Sequence, residues 1–128
     1  MEPYKTNGIL LEGLYDEWLN TLLVYGQQIE NLESVIKQIM RDTVELSTRN
    51  NMQAMLTDLR RTKIEIETLS NEVFVKRAKV ARENEHEQNV VSLHQLIENN
   101  RLRERVIKAE QSVFYLKYEV NKLLSLAS

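Results

Sequence analysis

The chain has 128 residues, a net charge of −2 and no cysteine. That length suits one domain or one extended rod, and near-neutral charge points to neither an acidic nor a basic partner. The missing cysteines exclude disulfides and thiolate metal sites, and suit a reducing compartment.

Glycine and proline carry the strongest bulk signal. Pro3 is the sole proline, and the glycines are Gly8, Gly13 and Gly26. From Gln27 to Ser128 there are 102 residues with neither. At average usage that run has a chance on the order of one in a million. Sheets and loop-rich folds need these residues at turns, whereas long helices exclude both. The expected class is therefore all-α: long helices with coiled-coil heptads, in an extended helical hairpin or bundle that oligomerises. Three or four helices are expected.

Residues 1–8 read as a disordered lead, with no basic start to mark a signal peptide. Residues 9–26 read as an apolar docking helix. Leu11, Leu14, Tyr15, Trp18, Leu22 and Tyr25 lie at helical spacing. Gly26 marks an expected break or kink. Residues 27–128 form the coiled-coil region. Its first part carries Ile29, Leu32, Ile36, Ile39 and Leu46 at spacings of a heptad seam, with Thr43 in the missing place. The polar run Ser47-Thr48-Arg49-Asn50-Asn51 predicts a helix boundary near 47–51, with Asn50 or Asn51 as N-cap.

A third block runs from Met52 to Ala81. Met52, Leu59, Ile66, Val73 and Val80 take one heptad position; Met55, Thr62, Leu69 and Lys76 take the other. Eight polar residues, Arg82 to Asn89, follow. They fit an exposed stretch of helix or a reversal of the chain. The last block opens with Val90, Leu93 and Ile97. From Leu102 its heptad is regular: Val106, Val113, Val120 and Ala127 at a, with Leu102, Ala109, Leu116 and Leu123 at d. Branched residues at a with leucine at d favour two parallel strands. In such a dimer Asp58 would face Lys63, Glu72 would face Arg77, Glu98 would face Arg103, and Arg105 would face Glu110.

Ile107, Phe114 and Tyr118 form a second apolar stripe beside the a/d seam. Such stripes mark a further helix or a partner. Either the Trp18 block folds back on the Phe114 stripe, or both stripes dock other chains. The candidate docking residues are Leu14, Trp18, Leu22, Tyr25, Ile107, Phe114 and Tyr118.

The chemistry-bearing patterns are weak. Glu83-Asn84-Glu85-His86 has the Glu-x-x-His spacing of di-iron bundles, but it lies in the most polar stretch and lacks further inward carboxylates. His94 sits beside the Leu93/Ile97 face and reads as a boundary residue. No phosphate loop or nucleophilic triad is present, and we expect no enzyme activity, cofactor, metal or small-molecule substrate. Lys76 to Arg82, and Arg101, Arg103, Arg105 and Lys108, are basic stretches. Acidic neighbours offset them and aromatics do not interleave, which argues against nucleic acid. Glu12, Asp16 and Glu17 on the first helix argue against anionic membranes, and no stretch is long and apolar enough to span one. The expected function is a non-catalytic interaction subunit of a larger cytoplasmic assembly, with the nucleus as the other location. Its partners would be other helical or coiled-coil proteins, in a homodimer or hetero-oligomer. The alternatives are a self-contained helical bundle binding one partner or a peptide, and a nucleic-acid-associated coiled-coil dimer.

Overall fold

The computed structural model describes residues 7–85 and 93–127. It contains three helices: α1 (Asn7–Asp42), α2 (Leu46–Glu85) and α3 (Leu93–Ala127). Among the described residues only 43–45 lie outside them. The expected lead of residues 1–8 falls largely outside the described residues; its last two, Asn7 and Gly8, already belong to α1.

α1 runs unbroken through Gly26, contrary to the expected break there. A mid-helix glycine costs about 1 kcal/mol. Leu22 and Ile29, one turn to either side, are both fully buried, and each contributes about 1.5–3 kcal/mol by leaving water. Burial therefore wins over local propensity. The buried and half-buried residues Leu11, Tyr15, Trp18, Leu22, Tyr25, Ile29, Leu32, Ile36 and Ile39 form one stripe along the whole helix. Spacings alternating between four and three keep it on one face.

The boundary with α2 lies at 43–45 rather than 47–51. The Thr43 hydroxyl donates to the Ile39 carbonyl at 2.8 Å, and the Thr43 N–H reaches Met40 O at 3.3 Å. The second is a tightened last turn, and the first shows a side chain competing for a helical acceptor. Glu45 then opens α2, its carbonyl accepting the Arg49 N–H at 3.0 Å. Ser47 and Asn50 sit in the exposed first turns, where their helical penalty is a fraction of a kcal/mol. Leu46, expected in the seam, is exposed.

The three helices have 36, 40 and 35 residues, so each spans about 50–60 Å. They pack side by side in up-down-up order. Lys63 pairs with Glu30 at 2.6 Å and Arg77 with Asp16, which together set α2 antiparallel to α1. Lys76–Glu98, Glu72–Arg105 and a 2.9 Å bond from Gln95 Nε2 to Glu83 set α3 antiparallel to α2. The chain has thus reversed between Glu85 and Leu93, and a single rod over 52–127 does not form. Residues 86–89 of the polar run lie outside the described residues.

One apolar core unites the three helices. From α2 it takes Met52, Leu56, Leu59, Ile66, Leu69, Val73 and Val80, with Thr62 buried among them. From α3 it takes Leu102, Val106, Val113, Leu116 and Val120, with Leu123 half-buried. The expected opening of the last block is different. Leu93 and Ile97 face outward, while Leu96 packs on the core. Val90 lies outside the described residues. Two polar atoms, Gln28 Oε1 and Asn99 Oδ1, are buried without a hydrogen-bond partner among the described residues.

Candidate interaction surface

The seam residues expected between chains face one another inside this one. Ile29, Ile36, Leu59, Ile66, Leu69, Val73, Leu102, Val106, Val113, Leu116 and Val120 are buried, and Leu32, Ile39 and Leu123 pack at the core margin. The heptad-flanking charges are likewise engaged within the chain. Lys63 pairs with Glu30, Arg77 with Asp16 and Glu12, Glu98 with Lys76, and Arg105 with Glu72. Arg61 takes Asp58 at 3.8 Å on the same helix.

These pairs perturb titration in the expected directions. The Arg105 guanidinium holds Glu72 below the usual carboxylate value, and Lys76 does the same for Glu98. Hydrogen bonding to Glu30 raises Lys63. Burial, helped by the carboxylates of Glu98 and Glu83, pushes the Tyr15 phenol up to about 12.

The expected docking residues divide into two groups. Trp18, 8% exposed, and Leu22 belong to the core; the Trp18 ring packs against Tyr15 with centroids 5.6 Å apart. Leu14 and Tyr25 pack beside them, and burial, with the Glu110 carboxylate of α3 nearby, raises the Tyr25 phenol above its ordinary value. Trp18 thus reaches the a/d side of its neighbours, and the Phe114 stripe faces away from it. Ile107, Phe114 and Tyr118 are 45%, 55% and 64% exposed on the outer face of α3.

Leu93 and Ile97, which open the last block in the sequence, belong to this same outer stripe. Positions 93, 97, 100, 104, 107, 111, 114 and 118 continue one another at alternating spacings of four and three. The signal was present in that spacing, but the stripe is interrupted by Asn100, Glu104 and Gln111. Other exposed apolar residues, such as Leu23 and Val24 on α1 or Phe74 and Val75 on α2, occur as short local groups.

Concave features are shallow. Small side chains at Thr62, Ala109 and Ser112 leave an open groove of about 370 Å³ between α2 and α3, rimmed by Arg105 and Lys108. Among the described residues no three histidine, aspartate or glutamate side chains gather where a metal could sit. His86, the end of the Glu-x-x-His pattern, lies outside the described residues. No helix among the described residues is long and apolar enough to cross a membrane. Comparison with protein-family models, curated proteins and solved structures gives no match.

Proposed function

We propose that the chain is a non-catalytic helical interaction subunit that docks into a larger cytoplasmic assembly through its outer surface. One observation carries this reading. The helices already bury a continuous core together, yet α3 keeps Leu93, Ile97, Ile107, Phe114 and Tyr118 in water on its other side. An aligned apolar stripe on a helix that is already packed is the usual mark of a further binding partner. The rival nucleic-acid reading loses ground, because Lys76 and Arg77, which begin its most basic stretch, are committed to carboxylates inside the bundle.

The test is the native particle size of the chain in an extract of the cells that express it. Elution far above the chain mass of 15.1 kDa, with other polypeptides co-eluting, is expected. The Phe114→Asp variant should move toward the mass of the lone chain. Elution of the unmodified chain alone would contradict the proposal.

A further inference from the structure

We infer that the outward face of α3 receives an amphipathic helix whose apolar seam is flanked by acidic residues. The inference rests on the proposed function and names the partner's chemistry. The stripe from Leu93 to Tyr118 spans 26 positions, or about 38 Å of helix. Its four-and-three spacing is that of a seam facing another helix. Arg101, Lys108 and Lys122 line one edge, and Arg103 and Lys117 line the other. None of these five is in an ion pair among the described residues. Only Glu104 and Glu110 oppose them on this face. A chain of net charge −2 thus turns one basic, apolar face outward.

Charge selects among the occupants. In a parallel pair of α3 faces, Arg103 would meet Lys108 and Lys117 would meet Lys122, each basic on basic. An antiparallel pair would also set basic edges together. A second copy is therefore repelled, and glutamate or aspartate at the partner's flanking positions is attracted. A lipid surface fits less well. Glu104 lies in the middle of the stripe, where insertion would take a carboxylate into the acyl boundary. A partner helix can set a lysine or arginine opposite it. Duplex nucleic acid would use the basic edges but leave the apolar stripe without a role.

The test uses the full chain and two labelled synthetic helical peptides with the same leucine seam, one flanked by glutamate and one by lysine. Fluorescence anisotropy should show the glutamate peptide binding at least about tenfold tighter, more so at low salt. Phe114→Ala with Tyr118→Ala should weaken it about tenfold or more. Lys108→Glu with Lys122→Glu should reverse the peptide preference, and unchanged helicity keeps both variants interpretable. Equal binding of the two peptides, or binding that neither variant alters, would overturn the inference. So would stripe-dependent binding to phosphatidylserine vesicles, retention on duplex DNA, or a homodimer dissociated by the Phe114/Tyr118 change. A photocrosslinking residue placed in cells at Phe114, and separately at Phe74, distinguishes the two levels. Adducts at position 114 to a segment whose apolar seam is flanked by acidic residues, identified by mass spectrometry of the crosslinked peptide, support the inference, and adducts there to a segment without such flanks overturn it. Adducts at 74 alone overturn it while leaving the proposed function standing, and adducts at neither overturn both.

Discussion

Arg105 holds the Glu72 carboxylate with two N–H donors, Nη1 on one oxygen and Nη2 on the other at 3.1 Å. Together with Lys76–Glu98, this pair clasps α3 to α2 at two places on the hairpin. Half-exposed pairs of this kind contribute little to stability, so the apolar core sets the stability and the pairs set the register.

The clasps carry a pH dependence. Glu72 and Glu98 both titrate below the ordinary value of 4.5 in the folded chain. Near and below that value the unfolded chain binds more protons, so stability falls as pH falls. The melting temperature should therefore be level from neutrality to about pH 5, then drop through the lowered folded values. Arg105→Gln should flatten part of the drop, as thermal melts followed by circular dichroism would show. Identical acid slopes in the two proteins would contradict the assignment.

Tyr15 gives the opposite arm. Its phenol is raised from 10.0 to about 12 by burial and by Glu98 and Glu83. The neutral form is favoured in the fold, so its contribution is present below 10 and lost as pH rises towards 12. Tyr15→Phe should lessen alkaline unfolding. Phenolate absorbance should show one tyrosine fewer titrating late; a variant with the unmodified profile would exclude Tyr15 as the source.

Gly26→Ala should stabilise the chain by about 1 kcal/mol, the helix-propensity difference. A Cβ built there meets only Ile66 Cγ2, at 3.9 Å, an ordinary van der Waals contact. Urea unfolding measures the change. A loss of stability would mean that α1 is strained or broken at this point.

Trp18 and Phe114 should separate core from surface. Trp18→Ala removes a buried ring and should cost about 3–5 kcal/mol. Phe114→Ala, on the outer face, should stay within about 0.5 kcal/mol of the unmodified chain. Chemical denaturation of the two variants gives both numbers. Comparable losses would place Phe114 in a packed environment.

The helical class and the core of α3 were legible because Leu102, Val106, Val113, Leu116 and Val120 repeat a single period over many turns. The division into helices was less so. Gly26 is a local penalty that the burial of Leu22 and Ile29 outweighs, while residues 43–45 break the chain without glycine or proline. Pairing between chains could not be read from charge. Lys63, Arg77, Glu98 and Arg105 satisfy a parallel dimer on paper and an antiparallel hairpin in the structure. Heptad flanks carry no label saying which helix they face. The outer stripe was visible in part, at Ile107, Phe114 and Tyr118. Its continuation to Leu93 and Ile97 follows from Leu96, rather than either of them, packing on the core.

If the seams close within one chain, the purified protein is a monomer whose α3 face is left for a different partner. Light scattering coupled to size exclusion gives the solution mass that decides this. A compact, strongly helical particle of 15.1 kDa is expected. An elongated helical particle of twice that mass would contradict it, because the seams would then close between copies.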